Sequence, residues 1–382
     1  MTAPVTGPGL PLSRRLMAAL GGLALLNLLL AAGGGLARLG GLPPAAWGPT
    51  GPSALGAHGA VMVGGFFGTV IALERVAALH RGAWVPALAG LGGLLAGLAG
   101  ATLPAAWPLA HGLWGLSATG LLGLYAWAAR HRGPSLPLAV EASAAAALLA
   151  GHLANAAGQA PAARLGYAAF LVLTIAAERR ELMRLRPLSV WAGRAFVLGW
   201  LGTLASVALA WHAPEEAARL WWALMVGLAV WLLCFDVARL QWRAPAWAGH
   251  TARCLGVGYL WLGLAAVLGL AGVAGAWHVL WLGFVWAMVF GHAPLMLPTL
   301  AGWRPRHTAW ALLPLAVMGL SLGLRLAAEA WAGPDLRAAA GLGHALAWLL
   351  FGGVMAMAVR AGDRHCRPTD RLRARPTPAD PG

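Results

Sequence analysis

Five histidines in this chain share a placement that ordinary packing does not require. His58, His111, His152, His278 and His344 each stand inside an apolar run, not in a polar loop. Neutral imidazole is the commonest metal ligand, and haem iron is readily held by two histidines from facing helices. His58 and Met62 lie at i and i+4, so they share a helical face. A thioether beside an imidazole suits Cu(I) or haem. Methionine also fills cores, and that is the favoured reading of Met62, Met288 and Met296. A single intramembrane histidine is as well explained as an interhelical hydrogen bonder, but a whole layer of them points to a shared metal or haem site. His292, by contrast, is fourteen residues beyond His278 in one run. The two therefore point the same way about 21 Å apart and cannot share an ion. Pro294 follows in GHAP, removes a backbone hydrogen bond and is expected to kink the helix there, leaving His292 for a second metal site, a proton path or the kink.

Positioning these side chains falls to long apolar helices. Of the 382 residues, 60% are hydrophobic and 10% charged, and the mean hydropathy is +0.71, values outside the range of soluble domains. Apolar runs begin near Leu16, Leu55, Trp84, Ala105, Leu136, Ala162, Trp191, Glu216, Ala248, Gly275, Thr308 and Asp335. Each is long enough, or nearly so, to cross a hydrocarbon core about 30 Å thick. The expectation is an all-α integral membrane protein of about twelve transmembrane helices, one domain over residues 1–361. The Pro/Gly-rich stretch 40–52 reads as a loop, and 362–382 as a disordered basic cytosolic tail. The first run follows Arg14 and Arg15 and reads as a retained helix, not a cleaved signal.

The net charge is +15, carried by 27 basic residues that are all arginine. They fall in short clusters between apolar runs, which argues against a nucleic-acid surface. With both termini in the cytoplasm, only Arg38, Arg164, Arg219, Arg325 and Arg337 lie outside, an asymmetry that fits a cytoplasmic membrane. This topology places the five histidines in the outer third of the membrane, in a layer on the order of 10 Å thick. His80, His131, His250, His307 and His365 fall at inner ends or in the tail and read as solvated at the interface. Most carboxylates sit at inner ends next to arginine: Glu74 with Arg75, Glu178 with Arg179 and Arg180, Glu181 with Arg184, and Asp236 with Arg239 at i, i+3. Glu141 has no arginine beside it and is the best candidate for handling a proton. IALER (71–75) and IAAER (175–179) hint at a parallel repeat with a four-helix period, in which the tenth helix is the next member. Cys234, Cys254 and Cys366 form no CxxC pair and support neither a disulfide framework nor an iron–sulfur cluster.

The segments HGAVMVGGFFGTVIALER, from His58, and HVLWLGFVWAMVFGHAP, from His278, resemble the histidine-bearing segments of NnrS-type proteins. These are polytopic bacterial membrane proteins that contain haem and copper and are associated with nitric oxide stress and denitrification. VLTIAAERRELMRL resembles a segment of uncharacterised relatives. A more remote similarity is to subunit I of the haem–copper oxidases, with twelve helices in three four-helix arcs. Its low-spin haem is held by histidines of the second and tenth helices, which would correspond to His58 and His278. That family's copper ligands come from the sixth and seventh helices, which carry no histidine here, so copper would need His111, His152 or His344. The resemblance implies a b-type haem and copper, with a small diatomic or a redox partner besides the lipid bilayer. The rival expectations are a cofactor-free permease and an assembly or sensor protein with a structural metal.

Overall fold

The computed structural model describes residues 13–39, 58–99, 103, 105–185, 187–331 and 333–366. Twelve long helices account for nearly all of them: α1 (Arg14–Arg38), α2 (His58–Leu79), α3 (Trp84–Ala99), α4 (Ala106–Arg132), α5 (Leu136–Ala156), α6 (Ala160–Leu182), α7 (Val190–Leu209), α8 (Pro214–Phe235), α9 (Ala246–Leu270), α10 (Ala276–Ala301), α11 (Ala309–Ala330) and α12 (Pro334–Cys366). One short helical turn, Ala238–Gln241, links α8 to α9. Every expected run is present, and starts agree to within three residues. The loop expected at 40–52 lies outside the described residues. So does the tail from residue 367, while α12 runs past Gly362 to Cys366.

Local chemistry starts several helices where the apolar runs begin. The side chains of Ser13, Ser135, Ser189 and Thr308 accept hydrogen bonds from the amides of Leu16, Leu138, Ala192 and Trp310, satisfying amides that a helix N-terminus leaves open. Ten of the twelve helices are long and apolar enough to cross a membrane. Of the other two, α3 is apolar but shorter, and α4 is diluted by polar and small residues. The bundle's surface is apolar, with Leu29, Leu198, Leu320 and Leu349 among its exposed side chains, as a lipid-facing surface demands.

Helices that follow one another in sequence pack side by side, and α1 meets α12 to close the ring. Three helices lie inside it. The apolar windows of α2, α6 and α10 are 67%, 78% and 61% buried, against 28–50% in the other spans. Every fourth helix is thus central, as the short repeat suggested, and each is the second member of a four-helix unit: α1–α4, α5–α8 and α9–α12. Small residues allow the close approach this requires. A Cβ on Gly65 of α2 would stand 3.2 Å from the Gly93 Cα of α3, and one on Gly166 of α6 would stand 2.7 Å from the Gly151 Cα of α5. Beside the first contact, the buried Asn27 of α1 donates to the carbonyls of Leu23 (2.9 Å) and Gly90 (3.0 Å).

Two central helices are wound differently from the third. Val61–Phe67 of α2 and Val279–Val285 of α10 form π turns, a local widening common at functional sites. Helix α10 continues through Pro294 and Pro298. Pro294 cannot donate to the carbonyl of Phe290, and α9 supplies the missing partner: His250 Nε2 lies 3.0 Å from that oxygen, and Thr251 donates to the Gly291 carbonyl at 2.7 Å. His250 is 1% exposed, so its expected role as an interfacial side chain is corrected. It replaces a lost backbone donor inside the bundle.

Candidate functional site

The bundle has two ends, one bearing the described chain ends (the start of α1 and the end of α12) and one opposite. His58, His278 and His344 stand at the opposite end, on α2, α10 and α12. His278 Nδ1 lies 3.3 Å from Nη2 of Arg325 on α11, and His58, His344 and Arg38 are its further electrostatic neighbours. Arg325 is buried and pairs with Glu329 one turn on, at 3.6 Å. Arg337 lies near it. Arg325 and Arg337, expected on the same side as the five histidines, thus lie among them.

His111 and His152 form a second group at the same end. Their ring centroids are 6.3 Å apart. Trp114 stacks on His152 at 5.1 Å, Trp107 stacks on His111 at 5.8 Å, and the Tyr167 hydroxyl lies 3.1 Å from His152 Nδ1. His152 fits because residue 64, on the π turn of α2, has no side chain: a Cβ there would stand 2.7 Å from His152 Cε1. The five expected histidines are thus brought together as two groups, His58 with His278 and His344, and His111 with His152. Met62 is half-buried against the main core.

Ring nitrogens decide what these groups can hold. A ligating imidazole uses one nitrogen for the metal and donates the other N–H to a neighbour. His152 has that arrangement available, with Nδ1 at Tyr167 and a buried Nε2 that has no hydrogen-bond partner among the described residues. His344 Nε2 and His111 Nδ1 are likewise buried and unpartnered. In one tautomer each, these three nitrogens present lone pairs that no protein group uses among the described residues. His278 differs. Guanidinium can only donate, so His278 Nδ1 accepts, and a neutral His278 carries its proton on Nε2.

At the end bearing the chain ends, carboxylates and arginines are paired. Arg75 of α2 contacts Glu141 of α5 at 3.0 Å and Glu178 of α6 at 2.9 Å. Arg179, its counterpart on α6, binds Asp236 through two bonds of 2.8 and 3.1 Å, and Tyr259 of α9 donates to the same carboxylate at 2.7 Å. Two expectations are corrected here. Glu141 does have an arginine, supplied by another helix, and Asp236 pairs with Arg179 across the bundle in place of Arg239 along its own face. Glu181 and Arg184 do pair as expected, at 2.6 Å. His292 lies at this end, apart from the histidine groups, with Glu74 and Glu178 beside it.

Twelve long helices with an apolar exterior, and polar groups gathered in two interior layers, define an all-α multi-pass membrane protein. Within that class, the sequence profile of a domain of unknown function, DUF8744, matches residues 14–360, nearly the whole bundle, and the chain belongs to this family. No curated protein and no solved structure matches it.

Proposed function

We propose that the two histidine groups are cofactor sites, for a b-type haem and for copper, in a membrane protein that handles electrons or a small diatomic such as nitric oxide. The observation that carries this reading is the gathering of His58, His278 and His344, from three separate helices, around the buried guanidinium of Arg325. Histidine and arginine inside a membrane bundle are unfavourable unless they meet a ligand or one another.

His58 and His344 are the residues that would hold the iron, since Arg325 engages the Nδ1 of His278. His278 then positions Arg325, and Arg38, Arg325 and Arg337 would be the groups to pair with the carboxylates of a haem, a pairing in which guanidinium excels. Without a Cys-x-x-Cys-His sequence a haem would be held non-covalently. His111 Nδ1 and His152 Nε2 would hold copper, which as Cu(I) accepts few neutral ligands. A bound haem iron supplies a one-electron couple and a place for a diatomic. Arginines are concentrated at the end bearing the chain ends, which supports reading that end as cytoplasmic in a bacterial cell and the histidines as lying on the outer side.

The test is a reduced-minus-oxidised spectrum of the purified protein with metal analysis, repeated for His58→Ala, His344→Ala and His111→Ala. A Soret band lost in the first two variants, and copper lost in the third, is the expected result. Protein with neither a Soret band nor copper sinks the reading, and uptake into proteoliposomes unaffected by His58→Ala would mark a permease instead.

A further inference from the structure

The three central helices each send one ligand-type side chain to a common point at the end bearing the chain ends. Glu74 comes from α2, Glu178 from α6 and His292 from α10, and one ligand atom of each lies within 4.8 Å of the others. The three positions are equivalent in the four-helix repeat. Glu74 and Glu178 are the fourth residues of IALER and IAAER. Glu74 and His292 each stand thirteen residues after the valine, Val61 or Val279, that opens the π turn of their helix. An imidazole therefore replaces the glutamate where the repeat departs from its own pattern.

Charge at this point is unbalanced. The ionisable neighbours of Glu74 are Glu178, Arg75 and Glu141, three carboxylates in all against one guanidinium. Arg179 does not redress the balance, because its two bonds go to Asp236. Carboxylates this close repel unless a cation or a proton intervenes. A second observation is independent of these acids. Tyr125 of α4 is 2% exposed, its hydroxyl has no partner among the described residues, and its ionisable neighbours are the same Arg75, Glu141, Glu178 and Glu74. A buried phenol left unpaired beside carboxylates points to a missing ligand or the water that ligand carries.

We propose that Glu74, Glu178 and His292 form a binding site for a single divalent ion of the manganese, iron and zinc class, placed where the three central helices meet. Two carboxylates and an imidazole are an oxygen–nitrogen set without thiolate, which suits these ions over Cu(I). A divalent charge cancels the excess of two. Arg75 positions Glu178 and Glu141, and the Tyr125 hydroxyl is placed to bond a water on the ion. Because the ligands come one from each four-helix unit, the ion joins all three units. The proposal stands on these side chains alone and is independent of the reading of the histidine groups.

The experiment uses the full chain in detergent, stripped with a chelator and titrated with MnCl2 alone, with free Mn2+ read by electron paramagnetic resonance. Manganese prefers oxygen ligands and so discriminates this site from the imidazole groups. One Mn2+ per chain is expected, bound roughly tenfold or more weakly after Glu178→Gln or His292→Asn and unchanged after His58→Ala. Bound Mn2+ should also raise the unfolding temperature of the wild type and not of these two variants. Glu74→Gln leaves both ion pairs of Arg75 in place, so it carries the test if Glu178→Gln fails to fold, and Glu74→Asp should retain binding. The proposal is overturned if the wild type binds no Mn2+, if Glu74→Gln and His292→Asn bind it as the wild type does, or if His58→Ala abolishes binding.

Discussion

The two ends of the bundle treat buried polar groups in opposite ways. At the end carrying the chain ends, charged groups are largely matched by protein: Arg75 with Glu141 and Glu178, Arg179 with Asp236 and Tyr259. At the opposite end, one ring nitrogen each of His111 (Nδ1), His152 (Nε2) and His344 (Nε2) is buried and has no hydrogen-bond partner among the described residues. A polar group left unpaired in a bundle interior is unfavourable, so the first arrangement reads as structural apart from the Glu74, Glu178 and His292 point, and the second as a place prepared for something that is not protein. Residue type alone does not separate the two, since both ends combine histidine, arginine and glutamate. What separates them is that the arginines and carboxylates of the first end form close ion pairs, while at the second end a ring nitrogen of each of three histidines has no partner among the described residues.

Substitutions at the two ends should accordingly differ, in stability at one and in cofactor content at the other. The largest stability effect is expected for Arg179→Met, which strands the buried Asp236 carboxylate; breaking such a pair costs about 3–5 kcal/mol. Thermal unfolding in detergent measures it, and a loss under 1 kcal/mol would erase the contrast. Gly64→Ala comes next. Its Cβ would stand 2.7 Å from His152 Cε1, so it should destabilise by about 1–3 kcal/mol and lower copper content by displacing the ring. His152→Phe should be smaller still in stability, about 1 kcal/mol, because it removes an unpartnered Nε2 together with the Nδ1 that meets the Tyr167 hydroxyl, yet it should abolish copper binding. Metal analysis beside calorimetry would sharpen the comparison if the two readouts part in this way. The smallest effect concerns His307, in the segment between α10 and α11, which burial and the nearby Arg253 hold below the ordinary histidine range. As pH falls through about 6.5, the unfolded chain takes up this proton before the folded one does, so stability declines slightly with acidification. His307→Gln should flatten that slope in a series of melting curves.

Depth was legible in the sequence, and azimuth was not. Apolar runs mark where the chain enters and leaves the membrane, and helical rise then places His58, His152 or His278 at a level, which is why the helices and the histidine layer were anticipated. Which way a side chain faces around its helix axis depends on tertiary packing. Glu141 therefore looked solitary until Arg75 arrived from another helix, and the layer of five divided into two groups. Arg325 was read as an outer charge because positive residues usually mark helix ends, and nothing local to it reveals that His278 lies alongside. His250 offered a signal that was passed over. A proline within an apolar helix leaves a carbonyl without its donor, and a polar residue on the preceding helix is the nearest source of one.

The crossing of α5 and α6 bears on how a cofactor would be received. Gly151 and Gly166 meet there backbone to backbone, and each immediately precedes a member of the second histidine group, His152 and Tyr167. The spacing of that imidazole and phenol is consequently machined into the main chain, and neither depends on a floppy rotamer to find the other. A metal arriving at His152 would meet a ring whose bearing was already set during folding, and a metal departing would leave that bearing behind for the next.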